Sequence, residues 1–201
     1  MTQARPSTSI ETEPRPTRQR IIEAAAVMTA ELGWSRVTMG ALAEEVGVSR
    51  QTVYNEVHSK DALAEAMIMR ELLVFLAAVE QGFDRYPYDA PQAARAATRG
   101  VLELAADNDL LRAVVSGAQG ADSDLLPLLT TRSESLLTIA TSVVHDRLRA
   151  YALALTPSDL TGAVDMIVRT VLGHVVQPSG SPRATADAVG RAAERLLPAS
   201  G

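Results

Sequence analysis

The stretch TMGALAEEVGVSRQTVYNEVHSK, residues 38–60, decides how this chain folds. Its apolar residues Leu42, Val46, Val48 and Val53 do not follow one uninterrupted helical stripe. They fall on two short periodic runs that part at Gly47. Thr38 and Ser49 stand just ahead of the two runs, and both are residues whose side-chain oxygen can satisfy the free N–H groups of a helix start. The pattern predicts one helix over 39–46 and a second over 50–56. Gly47 can adopt the left-handed conformation that ends the first helix and turns the chain. Ala43, four residues earlier, is small enough to let the second helix cross closely over the first. Together these features predict a helix-turn-helix.

Two short helices cannot bury their inner faces alone. Upstream, Ile21, Ala25, Met28 and Leu32 recur at three- and four-residue steps, which predicts a helix over 17–33 with Thr17 as its cap and Gly33 as its stop. Trp34, the one tryptophan, is placed to plug the small core. Downstream, Ser59 opens a helix expected over 59–81, with Leu63, Met67, Leu72, Phe75 and Val79 on its buried side. That helix is too long for the small head, so it must also pack on the C-terminal part of the chain and link the two.

Charge is unevenly spread. Up to residue 60 there are seven basic residues (Arg5, Arg15, Arg18, Arg20, Arg36, Arg50 and Lys60) and seven acidic ones, so the whole net charge of −5 lies beyond. A neutral head on an acidic body suits contact with DNA through a few placed groups rather than bulk attraction to polyanions. Cysteine is absent, which excludes disulfides and thiolate metal sites. The opening segment MTQARPSTSIETEPRP has no apolar centre of the kind a secretory signal needs, and no apolar run approaches the roughly 20 residues that span a bilayer. A cytoplasmic protein with no membrane contact is expected. Residues 1–16, rich in Pro, Ser and Thr, read as a disordered tail. Arg5 and Arg15 could act as a DNA arm, or the tail could simply be solvated.

On the second helix of the pair Val53 points inward, leaving Arg50, Gln51, Thr52 and Asn55 on the opposite side. Gln and Asn can pair with adenine and Arg with guanine in the major groove, where the first residues of a recognition helix meet base edges. Tyr54 can give its hydroxyl to a phosphate. Lys60, in the first turn of the next helix, can share a phosphate with the free N–H groups there.

From Thr17 to about Met67 the chain resembles the N-terminal domain of TetR-family transcriptional regulators. The residues that carry this are T-R-x-R-I-I-x-A-A from Thr17, Gly33, Thr38, L-A-x-x-V-G-V-S from Leu42, T-V-Y from Thr52 and S-K-x-x-L from Ser59. The resemblance implies an all-α homodimer of about nine helices per chain: a three-helix DNA-binding head over 17–60, and an effector-binding, dimerising body over 61–201. It implies a palindromic double-stranded DNA operator, an unidentified small-molecule effector, no cofactor, and most often repression relieved by that effector. The candidate DNA-contacting set is Thr17, Thr38, Ser49, Arg50, Gln51, Thr52, Tyr54, Asn55, His58 and Lys60. Many members carry His-Phe where this chain has Glu56-Val57. Val57 keeps the apolar packing role, whereas Glu56 puts a like charge near the backbone of DNA, and His58 is the substitute donor.

After a turn-rich break at GFDRYPYDAP, helices are expected over 91–106, 109–117, 124–155, 158–176 and 183–197. The last two are the dimer candidates, through Val164, Val168, Val171 and Val175 and through Val189, Ala193 and Leu196; packing within one chain is the alternative. By resemblance the effector pocket lies near Phe75, Leu102, Leu111, Val114, Leu137 and Val144, with Arg99, Arg112, Glu103, His145 and Arg169 able to orient a polar ligand. With aromatics at 3% of residues, an aliphatic or acyl effector fits better than a planar dye. Enzymatic motifs are missing: no HExxH, no G-x-S-x-G and no Walker phosphate loop occur, and no metal site is expected. A helical binding protein whose head has lost DNA affinity remains the second reading, with Glu56 as its support.

Overall fold

The computed structural model describes residues 15–117 and 133–199. Among them are nine α-helices: α1 (Thr17–Leu32), α2 (Met39–Val46), α3 (Arg50–Val57), α4 (Lys60–Arg85), α5 (Ala90–Ala106), α6 (Asp109–Gly117), α7 (Ser133–Leu148), α8 (Pro157–Val176) and α9 (Pro182–Leu196), with a 3-10 turn at Trp34–Arg36.

The head forms as its local signals require. The Thr38 hydroxyl accepts the Ala41 N–H and the Ser49 hydroxyl accepts the Thr52 N–H, so both helices of the pair start on side-chain caps. Gly47 takes φ 72° and ψ 42°, and the Val48 N–H reaches back to the Ala43 carbonyl at 2.9 Å. Ile21, Ala25, Trp34, Val37, Leu42, Val46, Val53, Val57, Leu63 and Met67 close one buried core. Trp34 is its plug, 4% exposed. Thr17 differs from expectation. It is the first residue of α1, not the cap, because Pro16 takes that place and its carbonyl accepts the Arg20 N–H at 3.1 Å.

The connecting helix α4 runs four residues past the expected end at 81. Gly82, which reads as a break in the sequence, is buried inside the helix where α5 crosses it. A Cβ at Gly82 would lie 2.4 Å from the Ala97 nitrogen, so the two backbones touch only because that atom is missing. Alanines 90, 93, 94 and 97 let α5 sit equally close to its neighbours, and it is packed between α4 and α9. Together with Phe83, Leu148, Val164, Val168, Val189 and Leu197 they form the body core.

The helix expected over 124–155 lies partly outside the described residues, and so does Pro127. Within them α7 ends at Leu148 rather than Leu155. Tyr151 turns back onto Phe83 and its hydroxyl donates to the Tyr86 carbonyl at 2.8 Å, which pulls the chain off the helical path. The Ala154 N–H then bonds the Pro198 carbonyl, tying this loop to the C-terminal segment. Among the described residues no helix is long and apolar enough to cross a membrane.

Candidate nucleic-acid interface and ligand cavity

The α3 face carries its polar residues as three linked pairs. Ser49 and Thr52 share a hydroxyl–hydroxyl bond of 2.8 Å. The Gln51 amide donates to Asn55 Oδ1 at 2.9 Å. The Arg50 guanidinium lies over the Tyr54 ring, 5.6 Å from its centroid, with a nitrogen 3.4 Å from the Tyr54 hydroxyl. Arg50, Gln51, Tyr54 and Asn55 are all exposed, so one small surface presents them together. Thr38 is exposed at the N-terminus of α2, while Thr17 is half-buried at the start of α1. Exposed His58 follows α3 with φ 62°, and its N–H donates to the Tyr54 carbonyl at 2.8 Å, closing the helix. Glu56 is half-buried.

Lys60 has a partner that the sequence does not announce. Its ammonium donates to the Trp34 carbonyl at 2.9 Å and sits 4.8 Å from the Trp34 ring centroid, pinning the first turn of α4 to the turn between α1 and α2. An ammonium has three donors, so two remain for a phosphate. Lys60→Met should therefore do two things: lower stability by about 1–2 kcal/mol in urea unfolding, and reduce the salt slope of DNA binding by about one. An unchanged slope alongside the lost stability would leave Lys60 with the Trp34 role alone.

Two cations have places the sequence reading missed. Arg20 donates to the Val46 carbonyl at 2.6 Å and so closes the end of α2. Arg36, exposed in the 3-10 turn, stands just before the α2 N-terminus. Its position two residues ahead of a capping Thr38 was the available signal.

A cavity of about 360 Å³ opens between α5, α6, the end of α8 and the start of α9. Of the residues named for the pocket, Leu102, Leu111 and Arg112 line it, together with Ala105, Val115, His174 and Val175. The other expected pocket residues lie elsewhere. Phe75, Leu137 and Val144 pack against the body core, and Val114 packs against the head core. Arg99 pairs with Glu103 at 2.7 Å and Arg169 with Asp165 at 2.8 Å, each along an exposed helix surface where four-residue spacing brings the charges together. Half-buried His145 on α7 is not part of the lining. In the cavity Arg112 is already engaged: one nitrogen donates to the Ala106 carbonyl at 2.8 Å and another pairs with Asp109. The described residues contain no cluster of side chains suited to a metal ion.

Helix α6 touches both parts. Leu110 and Val114, four apart, pack against the head core, while Leu111 and Val115 face the cavity. Its cap reaches further. Asn108 accepts the Leu111 N–H through Oδ1 at 2.8 Å and donates through Nδ2 to Glu71 of α4 at 2.6 Å. Glu71 is bonded by Arg70 at 2.8 Å, and Arg70 lies 3.7 Å from Glu23 of α1. Burial works to raise the Glu23 carboxyl, but hydrogen bonds from Gln19 and Arg15 and the charges of Arg15 and Arg70 hold it below the usual range.

The expected dimer stripe turns inward. Val164, at 0% exposure, together with Val168, Val189 and Ala193, is buried in the core of the single chain, and Val171, Val175 and Leu196 pack against that core. An apolar stripe states that a face is covered and not by which chain. On α8 the large side chains left outside are Met166, 56% exposed, Leu172 and Val176.

Two family models match this architecture. "Bacterial regulatory proteins, tetR family" matches residues 21–67 and "Bacterial Tetracyclin repressor, C-terminal domain" matches residues 89–195. The chain is 27% identical over 181 residues to the HTH-type transcriptional regulator AlkX of Mycobacterium tuberculosis, covering 90% of this chain and 83% of that one. It is 35% identical over 63 residues to the HTH-type transcriptional regulator UidR of Escherichia coli, covering 31% of this chain and 32% of that one. Among solved structures, the TetR-family repressor AlkX from Dietzia sp., implicated in biodegradation of n-alkanes, superposes with a TM-score of 0.70 at 26% identity over 92% of this chain and 99% of that one. The fatty acid degradation regulator FadR from Bacillus halodurans, at 15% identity and a TM-score of 0.57 over 92% of this chain and 97% of that one, shares the fold. A capped helix-turn-helix joined through one long helix to a helical body is thus matched by family models in both parts, and the chain belongs to the TetR family of bacterial transcriptional regulators.

Proposed function

We propose that this regulator is a cytoplasmic homodimer that represses transcription from a palindromic operator and is released by a neutral aliphatic effector held in the body. The observation that carries this reading is α6, which lies against the head core on one side and against the cavity on the other. A ligand that presses on Leu111 and Val115 moves Leu110 and Val114 with them, and Asn108 passes the shift to Glu71 on α4. In a dimer, α4 sets the separation of the two α3 helices. DNA half-sites lie about 34–36 Å apart, so a small change in that separation weakens both contacts together.

The cavity chemistry supports an uncharged ligand. Its volume falls within the roughly 300–1,000 Å³ common for small-molecule sites. Leu102, Ala105, Leu111, Val115 and Val175 supply apolar walls, and the guanidinium of Arg112 is neutralised by Asp109. With Asp109 already balancing that charge, a carboxylate ligand would gain little net attraction there. The likeness to an AlkX repressor implicated in n-alkane biodegradation points the same way.

The test uses the full chain with a duplex from its own upstream DNA. A medium-chain alkane or alkanol is expected to raise the melting temperature and to weaken DNA binding by about 5- to 150-fold, a coupling of about 1–3 kcal/mol. Release by the matching carboxylate and not by the neutral compounds would reverse the assignment of ligand class. No mobility shift at low salt from a folded dimer would instead favour the helical binding protein that Glu56 suggests.

A further inference from the structure

We infer that Gln51 and Asn55 act as one reading unit that recognises a single adenine of an A·T pair, rather than as two independent readers. The inference rests on the DNA-binding function and adds what the α3 face selects. Four residues apart on α3, the two side chains are both exposed and already joined by the 2.9 Å bond from the Gln51 amide to Asn55 Oδ1. That bond uses one donor and one acceptor of the pair. It leaves the Gln51 Oε1 acceptor and the Asn55 Nδ2 donor of these two exposed side chains available to a base. Were the amides oriented the other way, the pair would still present one amide oxygen and one amide nitrogen.

The major-groove edge of adenine offers an N7 acceptor next to an N6 donor. It matches this remaining pair, with Asn55 donating to N7 and Gln51 accepting from N6. Guanine offers two acceptors and no donor there, which leaves the Gln51 oxygen facing the guanine O6 without a hydrogen. Thymine offers O4 and a methyl group, and cytosine a donor alone, so neither satisfies both groups. The neighbouring Arg50, held over the Tyr54 ring, lies on a separate row of the helix and is free to contact a different base. Because each amide orients the other before DNA arrives, removing either one also releases its partner.

The experiment selects binding sites for the full-length protein from randomised duplexes. It then measures binding of Gln51→Ala, Asn55→Ala and the double variant to the selected site, and to that site with the adenine replaced by guanine. Circular dichroism checks that each variant is folded, which two exposed positions on a capped helix should allow. Each single variant is expected to lose about 5- to 150-fold of the adenine-over-guanine discrimination at one and the same base pair. The double variant is expected to lose little more than either single one. Losses that multiply in the double variant, or that fall on two different base pairs, overturn the paired reading while leaving DNA recognition intact. If the native protein enriches no site at all, it is the DNA-binding function that fails, and the paired reading fails with it.

Discussion

Gly82→Ala should unfold in urea well before the native chain, with a loss of about 2 kcal/mol or more at equal protomer concentration. Alanine favours a helix over glycine by about 1 kcal/mol, so intrinsic propensity alone predicts a gain. The crossing decides otherwise. The added Cβ would stand 2.4 Å from the Ala97 nitrogen and 2.5 Å from its Cα, and both are backbone atoms that no rotamer change can move. Overpacking of this sort costs about 1–3 kcal/mol even where side chains can adjust, and more where they cannot. Gly100→Ala is the matched control, since its Cβ would meet the Ala78 Cβ at 3.4 Å, an ordinary contact. That variant should be as stable as the native protein or slightly more so. Equal behaviour of the two variants would show that α4 and α5 do not touch at Gly82.

Met166→Arg is expected to convert the proposed dimer to monomer at micromolar concentration, read by sedimentation velocity. Met166 shares one side of α8 with Gly162 and Gly173, where an added Cβ would meet nothing within 4 Å, and half its surface is open. Glycines there let a second helix approach closely, and an arginine in the middle would have to lose its water to be covered. Binding to a two-half-site operator should fall by about 10²- to 10⁴-fold, because the second half-site contact is no longer tethered to the first. Binding to an isolated half-site should not change. A variant that remains dimeric would move the interface off this face of α8.

The head is legible in the sequence because its signals are local. Thr38, Gly47 and Ser49 each act on groups within about a turn of themselves, and the structure places all three where the spacing puts them. Contacts made over long separations are harder to read. Lys60 meets the carbonyl of a residue 26 positions away, and nothing around either residue announces the pairing. Gly82 shows the same limit from another side: in the sequence a glycine before Tyr and Pro is a stop, and only the arrival of Ala97 makes it a crossing point. The valines of α8 announce a covered stripe, and within the single chain Val164 and Val168 are buried while Val171 and Val175 are only half-buried against the same core. The cavity is assembled from four helices, and α8 and α9 contribute none of the expected lining residues; Val175 belongs to the expected dimer stripe. Convergence of that kind leaves no periodic trace.

The position of Trp34 gives the protein an internal optical reporter. It is the only indole in the chain, sealed in the head and capped by the ammonium of the first residue of α4. Any swing of α4 relative to the head changes the distance between that positive charge and the ring, and the emission wavelength of an indole responds to the local field. Effector binding in the body should thus be visible as a spectral shift from the far end of the molecule. No dye, label or DNA is needed to watch it.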